Sequence, residues 1–294
     1  MGVLRNVSDL NYETPTDIES AVALLTDNDR AKVLAGGTDL LVQLREEMIE
    51  PSLIVDIKRI AETRIVKMGA DEIRIGAAVT GAELDENDAL KAAWPGVVEG
   101  VELIGSWQVQ GRATIGGNLC NGSPAADGVP ALIAGAAKIV IVGPNGTREV
   151  PAEDFNTGPG QNILAKGEFV VSIVLPVRPP KSSDAYLRFI PRTEMDIAVV
   201  GAGVSLTLNE DGTCAAARMS LGAVAPKAVL VESATDILVG KKLTDDVLAA
   251  LAEAASASCD PIDDKRGTIK FRTKVAAVLA RRAATIAWQR AEKS

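Results

Sequence analysis

Residues 114–127 read TIGGNLCNGSPAAD, and how the chain uses them decides how the rest is assembled. The stretch is too polar and Gly-rich for a core strand, yet the apolar run VPALIAGAAKIVIVG follows at 129–143. Two readings are open. One is an Ω-type surface loop. The other is a cradle, in which Gly116-Gly117 presents successive amides to a diphosphate and Thr114 adds a hydroxyl. Asn118, Asn121 and Ser123 would supply further polar groups, and Asp127 would accept from a ribose hydroxyl, as an acidic residue does in dinucleotide sites generally.

A second Gly-Gly pair stands in AGGTDL, residues 35–40. Before it, 16–25 has helical spacing of Ile18, Ala21, Val22 and Leu25, and AKVLA (31–35) is a short apolar strand. After it, Leu40, Leu41, Leu44 and Met48 share one face of a helix that ends by Pro51, and LIVDIK (53–58) is another strand. The unit is β-α-β-like. Its Gly-Gly turn is either a tight strand-to-helix connection with Thr38 or Asp39 as N-cap, or an anion site at unpartnered helix amides. Asp39 would repel a phosphate unless it faced amides or a ribose hydroxyl. A third candidate, VVGAGVSLTL (199–208), fails the dinucleotide fingerprint: Leu206 takes the third glycine position and a strand, not a helix, follows. It reads as a strand whose small residues admit a close neighbour.

Farther out, EIRIGAAVT is strand-like, GAELDENDALKAAW begins a helix, and 95–105 reads as another. KIVIVGPNGTREV is a hairpin around Pro-Asn-Gly, FNTGPGQNILAKG a second Gly/Pro loop, and EFVVSIVLPV a strand stopped at Pro176. RPPKSSD (178–184) is the linker candidate. Beyond it AYLRFI, DIAVVGAGVSLTL and CAAARMSLGAV read as three strands of one antiparallel sheet, with helices over 228–239, 244–256 and 271–292. The expected fold class is α+β with an α/β-like N-terminal lobe, and the expected domains are 1–177 (lobes 1–58 and 59–177) and 178–294.

Composition narrows the chemistry. The 294 residues include no histidine, which removes Ser-His-Asp and Cys-His catalysis and histidine-ligated metal. Cys120, Cys214 and Cys259 lie far apart, with no C-x-x-C pair, so a metal or iron–sulfur site of this chain alone is not expected. Demanding chemistry would fall to an organic cofactor. A formal charge of −8 disfavours nucleic acid, no apolar run reaches membrane-span length, and the start MGVLRNVSDL offers neither a signal segment nor a lipidation site. A cytoplasmic protein is expected.

AGGTDLLVQLR, RATIGGNLCNGSPAADGVPAL, FNTGPG and MDIAVV, in that order, resemble the FAD-binding medium subunit of the molybdenum hydroxylases, the carbon monoxide dehydrogenase and xanthine dehydrogenase type. The likeness runs through nearly the whole chain, including SLGAVAPKAVLVESATDILVG and DDKRGTIKFRTKVAAVLARRA. It implies the two-lobed flavin fold of the vanillyl-alcohol-oxidase and CO-dehydrogenase flavoproteins plus a C-terminal domain. It implies electron transfer through FAD, from [2Fe–2S] clusters on a small subunit to an external acceptor, beside a large molybdopterin subunit in a dimer of heterotrimers. By this resemblance Lys32, Val33, Leu34, Ala35, Gly36, Gly37, Thr38 and Asp39 line the first FAD loop. Thr114, Ile115, Gly116, Gly117 and Asn118 form the second diphosphate cradle. Asp127 takes the ribose or adenine end, Ile104 and Val170 are apolar wall, and Arg188 places a positive charge near the flavin. No catalytic or metal residue is implied. Trp107, Gly111 and Met195 depart from common patterns of the family. A stand-alone flavin oxidoreductase of the same fold, and a non-catalytic nucleotide-binding assembly subunit, remain as alternatives.

Overall fold

A computed structural model describes residues 10–294, and the start of the chain, read above for a signal segment and a lipidation site, lies outside them. Three sheets follow one another along the chain. The first is wholly parallel, in the order β1 (Asn11–Glu13), β3 (Leu53–Asp56), β2 (Ala31–Leu34). Helix α1 (Ile18–Asp27) makes the first crossover, its amides capped by the Asp17 carboxylate, which accepts from Ser20 N at 2.7 Å. Helix α2 (Leu40–Arg45) makes the second. It is shorter than its sequence pattern and buries none of its residues; Leu41 is 56% exposed and Met48, beyond its end, 70%.

The second sheet is antiparallel, in the order β4 (Val66–Met68), β5 (Glu72–Gly76), β10 (Phe169–Pro176), β6 (Lys138–Gly143), β7 (Gly146–Pro151). The β6–β7 hairpin closes on Pro144-Asn145 as its sequence suggests, with Gly146 at φ 98°. A two-stranded ribbon of β8 (Asn156–Gly158) and β9 (Gln161–Asn162) lies in the second Gly/Pro loop. Between β5 and β6 run α3 (Gly81–Asp85), α4 (Asp88–Ala93), α5 (Pro95–Glu102), α6 (Trp107–Gln110), α7 (Ile115–Cys120) and α8 (Gly128–Ala134); α9 (Ala152–Phe155) follows β7. TIGGNLC is therefore not open loop: Ile115–Cys120 is helical and Thr114 is its N-cap, because a threonine hydroxyl before two glycines satisfies the Gly117 amide. The two lobes share a core in which Ala21, Val55 and Ile57 meet Ala78, Val142 and Phe169.

The third sheet is antiparallel, β11 (Ser182–Phe189), β12 (Val200–Leu208), β13 (Cys214–Gly222) and the short β14 (Val229–Leu230). Helices α10 (Ser233–Leu238), α11 (Asp245–Ala257) and α12 (Ile269–Ala291) follow. The helix expected over 228–239 starts later because Val229 and Leu230 pair with β13. The third sheet is gripped on both sides. Alanines 276, 280, 283, 284 and 287 let α12 lie close on β11 and β12, while α5 and α8 of the preceding domain contact the same sheet. VVGAGVSLTL is the strand that its lack of a third glycine implied. A Cβ on Gly203 would come within 2.8 Å of the Pro130 carbonyl oxygen, which is where α8 rests.

Residues 178–184 are not a slack linker. Ser182, Ser183 and Asp184 belong to β11, and Arg178 pairs with Asp184 at 3.0 Å while stacking 4.0 Å above the Trp94 ring. Both charges are buried, so each needs the other.

Candidate cofactor site

A cavity of about 490 Å³ opens where the first lobe meets the second. One wall comes from the end of β2 and its turn: Lys32, Val33, Ala35, Gly36, Gly37, Thr38 and Asp39. The facing wall is the start of α7, with Thr114, Gly116, Gly117 and Asn118, and Ile104 and Val170 add apolar surface. Residues some 80 apart in sequence thus share one cavity.

Glycine is needed here at the backbone. Gly37 takes φ 82°, which favours a residue without Cβ. A Cβ on Gly36 would lie 2.1 Å from the Arg112 carbonyl oxygen, and one on Gly116 would lie 2.5 Å from that of Ala77. The first turn therefore leans on the second lobe, while Gly116 packs against Ala77 of its own lobe. At the start of α7 the Thr114 hydroxyl accepts from Gly117 N at 2.9 Å, and Asn118 Oδ1 accepts from Gly128 N at 3.0 Å. The amides of Ile115 and Gly116, the first of the helix, have no intrahelical partner. Burial raises the Asp39 carboxyl above its ordinary range, opposed by a hydrogen bond with Asn121. A carboxylate at this position suits hydroxyl donors better than phosphate, whose charge it would repel.

Four expected residues are not on the cavity wall. Leu34 packs beside Gly37, and Ile115 is buried in the core of the second lobe. Asp127 and Arg188 form an ion pair of 2.8 Å behind the wall. Asp127 also accepts from the Tyr186 hydroxyl at 2.9 Å, and Arg188 donates to the Leu103 carbonyl at 2.7 Å. Both carboxylate oxygens of Asp127, expected at a ribose hydroxyl, accept hydrogen bonds from β11. Burial pushes the Asp127 carboxyl up to about 6 despite the guanidinium beside it. The positive charge expected from Arg188 is offset by its partner.

Sequence reasoning missed the far end of the cavity. Asn28, Gln43, Asn162 and residues 164–168 line it, and Lys166 reaches Asp29 at 2.5 Å across that end. FNTGPGQNILAKG was legible as a polar loop; nothing local says that it folds back to the first lobe.

Residues 7–178 match the FAD binding domain in molybdopterin dehydrogenase, and residues 185–287 match the CO dehydrogenase flavoprotein C-terminal domain. The chain belongs to this family of FAD-binding medium subunits. The carbon monoxide dehydrogenase medium chain of Hydrogenophaga pseudoflava is 34% identical over 280 residues, covering 95% of this chain and 97% of that one. The xanthine dehydrogenase FAD-binding subunit of Escherichia coli O157:H7 is 32% identical over 264 residues, covering 89% and 90%. The solved carbon monoxide dehydrogenase from Hydrogenophaga pseudoflava, a form lacking the Mo-pyranopterin moiety of its molybdenum cofactor, superposes with a TM-score of 0.91 at 35% identity, covering 96% of this chain and 98% of that one. The quinoline 2-oxidoreductase of Pseudomonas putida 86 gives 0.88 at 28% identity, with the same coverage.

Within this family frame, the residues that depart from the usual pattern separate. Trp107 is 69% exposed and is not on the cavity wall, and Met195 takes φ 54° in an exposed loop. Cys120 does line the cavity, but burial pushes its thiol up to about 12, so it is not a nucleophile at neutral pH.

Proposed function

We propose that this chain carries FAD in a three-subunit molybdenum hydroxylase, as a dimer of heterotrimers in the cytoplasm. It takes electrons from [2Fe–2S] clusters of a small subunit and passes them to an external acceptor, while a large molybdopterin subunit works on the substrate. The observation that carries this reading is the cavity, where two Gly-Gly turns from different lobes face one another. Its volume lies within the range of cofactor sites. Its donor set fits a dinucleotide: backbone amides at Gly36–Thr38 and Ile115–Gly116 for a diphosphate, the Asp39 carboxylate and the Asn118 side chain for hydroxyls, Ile104 and Val170 for a ring.

FAD, when bound, supplies the capacity to hold two electrons and release them separately. The residues of this chain bind and orient it. Among the described residues no three His, Cys, Asp or Glu side chains gather in a metal-binding group, and no helix is long and apolar enough to cross a membrane. With no histidine in the chain, the residues of the cavity position a cofactor rather than attack a substrate.

An absorption spectrum of the purified protein tests the reading. Flavin bands at near one FAD per chain, retained or taken up on addition, are expected. Protein that neither carries nor takes up FAD would sink it. Co-purification with a small iron–sulfur and a large molybdopterin subunit separates the assembly from a stand-alone flavoprotein.

A further inference from the structure

Behind the first Gly-Gly turn a polar chain runs from the exposed Tyr12 of β1 through the buried Asp56 to the cavity wall. Tyr12 donates its hydroxyl to Asp56 Oδ2 at 2.5 Å, and Asp56 Oδ1 pairs with Lys58 Nζ at 2.7 Å. Lys58 Nζ in turn donates to the Ala35 carbonyl at 2.9 Å. The sequence explains why lysine reaches there. In the parallel β2–β3 register Asp56 stands opposite Leu34, so the turn after β3 lies beside the turn after β2. Asp56 also caps the short 3₁₀ turn Ile57–Arg59 by accepting from Lys58 N at 3.0 Å, which fixes the lysine backbone.

The consequence is local geometry. In a trans peptide the carbonyl and the following N–H point in opposite directions. The bond from Lys58 holds the Ala35 carbonyl, and thereby turns the Gly36 N–H away from the ammonium. Ala35 and Gly36 both line the cavity. A glycine pair left to itself samples many orientations, and φ 82° at Gly37 is one of several open to it. We propose that Lys58 is a positioning residue for the cofactor: it locks the Ala35–Gly36 peptide so that the turn meets the FAD diphosphate already formed.

The proposal rests on the FAD reading and adds what that reading lacks, a reason why the first turn is ordered before the cofactor arrives. The lysine acts here as a hydrogen-bond donor, not as a bare charge. Asp56 is 5% exposed, lies 2.7 Å from the ammonium, and has its carboxyl pulled below the usual range by Lys58 and Tyr12 against its own burial. The pair is near neutral seen from the cavity. Preorganisation shows as affinity because the ordering is completed before binding.

The test uses the full-length chain and two readouts. In FAD-free protein, Lys58→Met should raise amide exchange in the segment spanning residues 35–39, with other segments unchanged. FAD binding, followed by flavin fluorescence, should weaken about tenfold, the order of one charge-assisted hydrogen bond. The double variant Asp56→Asn/Lys58→Met, which also removes the carboxylate that the single change leaves unpaired, should weaken binding as much. Lys58→Arg, which keeps a cationic donor, should recover most of the affinity. Unchanged exchange in 35–39 together with an FAD affinity within about twofold of the unmodified protein would overturn the proposal. Exchange raised across the whole first lobe would also overturn it, by making Lys58 a general stabiliser. If the unmodified chain does not bind FAD, the cofactor reading fails, while the exchange experiment still decides whether Lys58 orders the turn.

Discussion

Replacing Arg188 by glutamine removes the cation from a buried pair without emptying the site, and the cost follows from the geometry. Asp127 is 7% exposed, and burial already holds its carboxyl at about 6 with Arg188 in place. In the unfolded chain the same carboxyl ionises near 3.9, so between pH 6 and pH 8 both proteins unfold to the same charged state. The folded value is raised, so this group's contribution to stability is complete at low pH and is lost as pH climbs through about 6. Stripping one partner from a buried pair costs about 3–5 kcal/mol when the remaining charge must stay. Here the carboxyl can escape by taking a proton. The escape costs about 1.4 kcal/mol for each pH unit above 6, hence about 1 kcal/mol at pH 7 and about 3 kcal/mol at pH 8. Urea unfolding of the FAD-free protein and the variant at pH 6, 7 and 8 measures this directly. The deficit of Arg188→Gln should widen steadily with pH, on top of a constant loss from the Leu103 carbonyl bond. A deficit that is the same at pH 6 and pH 8 refutes the reasoning, because Asp127 would not be the group that pays. The double variant Asp127→Asn/Arg188→Gln should show no such widening. The pair of Asp184 and Arg178 is intact in all three proteins and cancels from the comparison.

Gly36→Ala places a methyl about 2.1 Å from the Arg112 carbonyl oxygen, so one turn must move; flavin content per chain should fall severalfold while far-UV circular dichroism stays native. An unchanged flavin content would show that the turn yields freely. Thr114→Val deletes the hydroxyl that caps α7 and should cost about 1 kcal/mol in urea unfolding, with weaker FAD binding as the Gly117 amide loses its partner.

Much of the architecture is written locally. The helical spacing of Ile18, Ala21, Val22 and Leu25 yields α1, and Pro-Asn-Gly yields the β6–β7 hairpin. The failed fingerprint at 199–208 yields a strand, because two glycines without a third cannot bring a helix down on a phosphate. The misses share a cause. Arg178–Asp184 looks like a linker because its composition says nothing of Trp94, which supplies the ring on which Arg178 stacks. Leu40, Leu41, Leu44 and Met48 look like one apolar face, yet Leu41 and Met48 are more than half exposed in this chain. The partners of Asp127 within the chain were likewise not legible beside its glycine cradle, because they come from β11, some 60 residues later. In each case the deciding contact lies outside the window in which a pattern can be read. The cavity residues, by contrast, were legible because glycine pairs and their hydroxyl neighbours carry their geometry with them.

The same contacts explain why the site sits at the joint between lobes. Sequence alone assigns the glycines to close approach by an anion, but the space beside Gly36 belongs to Arg112 and the space beside Gly116 to Ala77. Gly36 is therefore required for the lobes to meet, and Gly116 for α7 to pack beside Ala77 within the second lobe, whether or not a cofactor is present. Gly37 differs, since its φ of 82° is demanded by the turn itself. Gly117 differs too, since a Cβ there would meet only the oxygen of its own cap, Thr114. Gly36 thus lets the two half-sites come together, and the other glycines shape each half. A ligand bridging the halves favours the docked arrangement by its differential affinity, which for a site filled at a thousandfold excess over Kd amounts to about 4 kcal/mol of added stability. That is comparable with the cost of breaking a buried ion pair. Cofactor binding and lobe docking are then two readings of one equilibrium, and a variant that loosens either loosens both.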